Sequence, residues 1–355
     1  MQQSVKPFKR IVVKIGSSLF YQRRGELDLG FVDKIAGQVS VLLESGKEVI
    51  IVSSGAIALG MHKLNFSQRP KELSKLSAAA AVGQTDLMNT YSRAFGDRFR
   101  VAQILLTRDD FNCRERYLNA KNTIEALLKS GNVVPIINEN DTVSTDEIKF
   151  GDNDRLSALV SSLVAADLLI ILSDVDGLLE KDKKTVVRVV NDITPQVKSL
   201  ASPTDKKTSV GGMITKLDAA KIATGSGIPC VIANGRHKDI ILAVIKEPGK
   251  CGTLFLPKKY LAARERWIAF GTKPKGKIMV DEGAKNALKS KKSLLSVGVI
   301  ALEGIFENND IVSVIDKQNV EFARGKVGLS SKQLEKVKGI RFDKEIIHRD
   351  NIVIL

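Results

Sequence analysis

The sequence predicts a doubly wound, largely parallel α/β domain followed by a small β-rich module, and three observations carry that prediction. Apolar runs of strand length alternate with helix-period stretches from Lys9 to about Pro257. Several of these runs end in small or polar residues and then enter a helix, as strands do at the ligand-binding rim of an α/β sheet. After Pro257 the texture changes to short strands and glycine turns. At 355 residues the chain is long enough for two domains, and 43% hydrophobic with 27% charged residues is ordinary for a globular protein.

Residues 11–15 (IVVKI) read as the first strand, ending in Gly16-Ser17-Ser18. Backbone N–H groups in such a turn can cradle a phosphate, and Lys14 adds a positive charge beside them. Many strands end in Gly-Ser, so a plain turn is the competing reading. No G-x-x-x-x-G-K-[ST] motif occurs. Residues 31–45 have helical periodicity and stop at Gly46. Residues 48–52 form the second strand, which runs through Ser53-Ser54-Gly55 into a helix. Gly55 would let a ligand approach the backbone there, although a tight capped turn explains the same residues. An Ala-rich helix over 77–95, a strand over 101–106 and a helix over 119–130 closed by Gly131 come next.

The run 133–137 (VVPII) reads as a buried strand, and it leads into residues 138–154, NENDTVSTDEIKFGDND. This stretch is acidic and amide-rich in a chain whose formal charge is +15. Asn and Asp suit the ammonium and carboxylate of an amino acid, but they also favour caps and turns. The dense clusters at 138–141 and 151–154 favour a binding loop. Residues 167–172 read as a strand that is apolar throughout after Asp167, as in the middle of a parallel sheet, and end in Ser173-Asp174-Val175-Asp176-Gly177. Gly211-Gly212-Met213-Ile214-Thr215-Lys216 precedes a helix over 217–226 and fits phosphate contact, with a flexible loop as the alternative. Residues 228–233 give the last strand of the first domain.

No apolar run is long enough to cross a bilayer, and the N-terminal residues have no signal-peptide core, so neither membrane nor secretory leader is expected. Cys113, Cys230 and Cys251 are far apart and odd in number, which predicts reduced thiols in a cytoplasmic protein and no zinc site. The basic charge permits a polyanion partner without requiring one. Expected boundaries are a catalytic domain over 1–257, a connector over 258–271 and the small module over 272–355.

Taken together, VKIGSS at 13–18, SSGAI at 53–57, NEND at 138–141, FGDND at 150–154, SDVDG at 173–177 and GGMITK at 211–216 resemble the glutamate kinases of the amino-acid kinase family. The module containing GKIMVDEGAKNAL and GIFENNDIVSV resembles a PUA domain. The resemblance implies an amino-acid-kinase-like, open, mostly parallel sheet sandwiched by helices, plus a PUA-like barrel. It also implies transfer of the ATP γ-phosphoryl group to the side-chain carboxylate of L-glutamate, giving L-glutamyl 5-phosphate, the first step of proline biosynthesis.

By resemblance, Lys14 and the Gly16–Ser17 backbone hold the transferring phosphate, Lys216 neutralises the leaving-group side, and Asp152 orients the two lysines. Ser54, Asp141 and Asn153 bind glutamate, with Asp141 facing its ammonium. Ser173, Asp174 and the loop Gly211, Gly212, Met213, Ile214, Thr215 and Lys216 hold ATP. Mg²⁺ is expected with ATP, carried mainly by phosphates and water, and no protein ligand is assigned to it. L-Proline is expected as feedback inhibitor and a homo-oligomer as the assembly. The alternatives are a sister kinase acting on acetylglutamate, aspartate or UMP, a non-catalytic amino-acid sensor, and an RNA-binding protein acting through the PUA-like module. The 138–154 stretch and the C-terminal module argue against the sister kinases, and a sensor would not need both Lys14 and Lys216.

Overall fold

The computed structural model describes residues 8–21, 28, 30–143, 152–201, 212–257 and 261–355, with position 152 described by its backbone alone. The chain divides into two compact units, Met1–Tyr260 and Leu261–Leu355.

In the first unit the elements run β1 (Arg10–Ile15), α1 (Gly30–Glu44), β2 (Glu48–Ser53), α2 (Ala56–Lys63), α3 (Leu73–Phe95), β3 (Arg100–Leu106), α4 (Arg108–Asn112), α5 (Arg114–Lys129) and β4 (Val133–Glu139). They continue with α6 (Asp152–Leu163), β5 (Leu168–Ser173), β6 (Val189–Val190), α7 (Pro195–Ser199), α8 (Met213–Gly225), β7 (Cys230–Asn234), α9 (Ile240–Lys246) and β8 (Thr253–Phe255). One eight-stranded sheet results, in the order β3-β4-β2-β1-β5-β7-β8-β6. The six strands from β3 to β7 are parallel; β8 pairs antiparallel to β7, and β6 lies parallel to β8 at the edge.

Alternation along the strands produces the layers. Ile11, Val13, Val49, Ile51, Leu168 and Ile170 pack with Phe31, Ile35 and Val39 of α1, Leu87 and Tyr91 of α3, and Ile241 and Val244 of α9. The intervening Val12, Ile50, Leu169 and Ile171 are equally buried, facing the other side of the sheet. Every residue of β5 is buried, as its unbroken apolar run predicts for a strand covered on both faces.

Helices α2 and α3 approach closely through glycines. A Cβ at Gly60 would lie 1.7 Å from the Ala79 carbonyl oxygen, and one at Gly83 would lie 1.8 Å from that of Ala56. Both obstacles are backbone, so a methyl group must push the helices apart. Gly83→Ala should therefore cost about 1–3 kcal/mol, as overpacking does. Thermal unfolding should register this as a fall of about 2–12 °C in Tm, and an unchanged Tm would refute the packing argument.

Three helices begin earlier than their periodicity suggests: α3 at Leu73, α5 at Arg114 and α8 at Met213. The closing Asp152-Asn153-Asp154 of the acidic stretch is likewise the first turn of α6. First turns carry unpaired N–H groups and accept polar residues, which hides them from a hydrophobic pattern.

The second unit contains α10 (Ala263–Arg266), a single π turn at Trp267–Gly271, β9 (Gly276–Val280), α11 (Glu282–Lys289), β10 (Val299–Gly304), β11 (Ile311–Ile315), β12 (Glu321–Lys326), α12 (Ser331–Val337) and β13 (Ile352–Ile354). Its strands form a five-stranded sheet, β10-β9-β11-β12-β13, with β9 and β11 parallel and the other pairs antiparallel. Ile278, Val312, Val314, Leu334 and Ile347 are among its core residues. Ile268 and Ala269 pack with Ile311 and Val353, and Arg324 Nη1 donates to the Ala269 carbonyl at 2.8 Å. Residues 261–271 are thus built into the second unit.

Candidate active site

Strand register places the site. Ile15 is level with Ser53 of β2 and Leu172 of β5, Val52 is level with Ile137 of β4, and Ser173 is level with Asn234 of β7. The residues leaving these parallel strands, Asn138, Ser54, Gly16, Ser173 and Gly235, therefore form one row along the C-terminal edge. Strand order reverses between β1 and β5, and in open α/β sheets the crevice outside such a switch point binds ligands.

At this point three buried charges meet. Lys14 and Lys216 are each 5% exposed, and Asp154 is 1% exposed. Lys14 Nζ lies 2.5 Å from Asp154 Oδ1, and Lys216 Nζ lies 3.2 Å from Oδ2. Thr215 Oγ1 also donates to Oδ2, at 2.8 Å. Burial acts to raise the Asp154 pKa, but the charges of Lys14 and Lys216 and the hydrogen bonds from Lys14 and Thr215 overcome it and hold the group at about 2. A depressed carboxylate stabilises the fold above its unfolded value of 3.8. That contribution is lost as pH falls from there through about 2. Burial lowers the Lys14 pKa, Asp154 and Asp174 oppose the shift, and the like charge of Lys216 adds to it. Two lysine side chains are thus held side by side by one carboxylate.

Helix α8 aims its N-terminus at the same place. Gly212 caps it without a side-chain bond, and Lys216 lies in its first turn and a half. Unpaired N–H groups and the helix dipole there favour anionic oxygens. Ser173 Oγ donates to Asp174 Oδ1 at 3.3 Å. Beyond them, Asp176 accepts from Asn234 Nδ2 and pairs with His237 Nε2, both at 2.9 Å.

On the other side of Lys14, Asn153 Nδ2 contacts Ser54 Oγ and Asn138 Oδ1, each at 3.0 Å. The Asp141 carbonyl accepts from Ser77 Oγ at 2.9 Å. Arg69 is partly buried within electrostatic reach of both Asp141 and Tyr21; burial lowers its pKa and those two groups oppose the shift. Arg69 was not singled out in the sequence, because it stands alone in a polar connection between α2 and α3.

Two sequence-based expectations meet a different arrangement. The carboxylate in contact with both lysines is Asp154; Asp152, to which the resemblance gave the task of orienting them, has its side chain outside the described residues. Two residues turn a helix by about 200°, so neighbouring acids in a first turn are not interchangeable, and it is position 154 that overlies the end of β1. The Gly16 N–H, expected on the phosphate, instead donates to the Leu172 carbonyl at 3.0 Å. Gly16 contributes space: a Cβ there would stand 3.1 Å from the Leu172 oxygen and 3.7 Å from Lys14 Nζ. Gly211 lies outside the described residues. Ser17 opens the 3₁₀ turn Ser17–Phe20, Met213 begins α8, and Ile214 is half exposed.

Comparison with known proteins gives the family. A model of the amino acid kinase family matches residues 9–234, and a PUA domain model matches residues 276–348. A glutamate 5-kinase of Thermoanaerobacter sp. (strain X514) is 45% identical over 365 residues, spanning 98% of each chain. One of Geobacter sp. (strain M21) is 44% identical over 373 residues, the full length of both. Among solved structures, N-acetylglutamate synthase from Neisseria gonorrhoeae gives a TM-score of 0.52 at 16% identity, over 73% of this chain and 61% of that one. Giardia carbamate kinase gives 0.50 at 19% identity, over 71% of this chain and all of the other. At such identities these two structures speak for the fold alone.

Proposed function

The chain belongs to the amino acid kinase family, and from that premise we propose that it transfers the γ-phosphoryl group of ATP to the side-chain carboxylate of L-glutamate, forming L-glutamyl 5-phosphate. The observation that carries the chemistry is the pair of buried lysines on Asp154. A carboxylate nucleophile is ionised at neutral pH and needs no general base. The difficulty is bringing one anion against another, so catalysis reduces to positioning and charge stabilisation. Lys14, on β1, serves the transferring phosphoryl group. Lys216 and the α8 N-terminus serve the leaving β-phosphate side.

Mg²⁺ would accompany ATP. Its ligands would be mainly phosphate oxygens and water. It would add charge neutralisation between the phosphates. No helix among the described residues is long and apolar enough to cross a membrane.

The direct test is ATP turnover with L-glutamate, trapping the acyl phosphate with hydroxylamine, against L-aspartate and N-acetylglutamate. A kcat/KM for glutamate less than about tenfold above that for either control would refute the substrate assignment, since a site tuned to one ligand discriminates at least that strongly.

Asp141→Ala should raise the glutamate KM about tenfold or more while kcat changes little, because the lost ammonium contact is present before and during transfer alike. A change confined to the ATP KM would place Asp141 elsewhere. The charged groups described at the rim all belong to the first unit. A chain ending at Tyr260, where the units divide, should therefore fold and phosphorylate glutamate. Truncation at Gly271 would instead leave Trp267 and Ile268 without their partners in the second unit. A shortened chain that is folded by circular dichroism and binds both substrates, yet shows no turnover, would refute this division.

A further inference from the structure

From the edge strand β3 to the rim runs a file of side-chain amides. Gln84 Nε2, on α3, donates to Gln103 Oε1 at 3.2 Å. Gln84 Oε1 accepts from Asn138 Nδ2 at 2.9 Å, and Asn138 Oδ1 accepts from Asn153 Nδ2 at 3.0 Å. An amide can be turned end for end, so the sense of such a file is fixed only where it meets groups that cannot turn. Two backbone groups supply that. The Glu139 N–H donates to Asn138 Oδ1 at 2.9 Å, and the Ser53 carbonyl accepts from Asn153 Nδ2 at 3.3 Å. Both demand the same sense. Asn153 therefore spends its nitrogen on Ser53, Ser54 and Asn138. Its oxygen is buried and has no hydrogen-bond donor among the described residues.

We propose that Gln84 is a positioning residue for substrate recognition: by accepting from the buried Asn138 Nδ2 it holds Asn138 in place, and Asn138, together with the Ser53 carbonyl, occupies the Asn153 nitrogen and leaves the Asn153 carbonyl oxygen for the substrate's ammonium group. The inference rests on L-glutamate being the acceptor. A buried acceptor without a donor is unfavourable, and a ligand that brings an N–H⁺ group relieves it. A dicarboxylate of the same length without the amino group does not. Asn138 is itself buried, and with Gln84 gone its Nδ2 would lose its acceptor. Turning Asn138 over cannot restore an acceptor, because its nitrogen would then face the Glu139 N–H and the Asn153 amide, so Asn138 would have to shift and carry Asn153 with it.

The test is a series at position 84 in the full chain, measured by hydroxylamine trapping with L-glutamate and with glutarate. Gln84→Leu removes the acceptor, Gln84→Lys replaces it by a donor, and Gln84→Glu retains it. The leucine and lysine variants should raise the glutamate KM about tenfold and narrow the preference for glutamate over glutarate, as expected for one lost orienting contact. The ATP KM and kcat should stay within about twofold, and Gln84→Glu should bring the glutamate KM back to within about threefold of the parent. A purely structural role would follow side-chain size and Tm instead of acceptor capacity. Should the leucine variant fail to fold, the lysine and glutamate variants, similar in length and both charged, carry the same comparison. A parent chain that selects glutamate while all three variants share its KM overturns the proposal alone. A parent chain that uses glutarate as readily as glutamate overturns the substrate reading and the proposal with it.

Discussion

Asp154→Asn is expected to lower kcat by on the order of 10³-fold, the largest effect of any single substitution at the site, since it disables two preorganised cations at once. Both lysines contact this one carboxylate, and all three groups are buried. Without its charge, two ammonium groups would remain close together in a poorly solvated place. Breaking a buried ion cluster from one side typically costs about 3–5 kcal/mol, and the groups relieve part of that by releasing a proton. Lys14 would do so readily, because burial already lowers its pKa. A neutral Lys14 cannot stabilise the charge of the transferring phosphoryl group. The variant's residual kcat should therefore rise as pH is lowered within the range where the chain stays folded, while the parent stays flat there because Asp154 remains ionised. Steady-state kinetics over that range, with Tm measured alongside, decide the matter; parent-like kcat in a folded variant would refute the bridging role.

Lys216→Ala should lower kcat by about 10²-fold or more and leave the glutamate KM nearly unchanged, by analogy with the loss of one preorganised donor. Negative charge accumulates on the leaving side only as the bond to the γ-phosphorus breaks, so the ammonium is worth most in the transition state. Lys216→Arg should not restore the rate. The guanidinium is planar and larger, and Lys216 is buried beside Thr215 and Asp154, where its fork cannot reproduce a point charge. A near-normal kcat with only a raised glutamate KM would show that Lys216 binds substrate instead.

The parallel sheet was legible in the sequence because its strands are unmixed apolar runs, with 168–172 the plainest case. The order of motifs along the rim was legible for the same reason, since each follows such a run. What escaped was phase and pairing. Asp154 could have been found: it falls in step with Ser157, Ala158 and Ser161, all buried, on the sheet-facing stripe of α6. That stripe is made of small and polar residues, so it does not announce itself as a buried face. The engagement of the Gly16 N–H by Leu172 could not have been found, because it depends on which strand lies beside β1 and in what register. Gln84 escaped because its role exists only once α3, β4 and α6 are side by side. The short strands β6 and β8 escaped because two or three residues carry too little periodicity.

The glycine contacts between α2 and α3 also bear on how far substrate preference can be altered. With Gly60 against Ala79 and Gly83 against Ala56, backbone rests on backbone and the two helices behave as one strut. The strut carries the Ser54–Gly55 turn at one end and Gln84 along its flank, while Ser77, also on α3, holds the Asp141 backbone. Under the proposed function, its length and angle would gauge the separation of the residues proposed to hold the two ends of an amino-acid substrate. Such a gauge does not stretch by degrees. A shorter or longer acceptor would have to be accommodated by new side chains at the exit of β4, and random mutagenesis for altered acceptor length should accumulate changes there and leave positions 60 and 83 untouched.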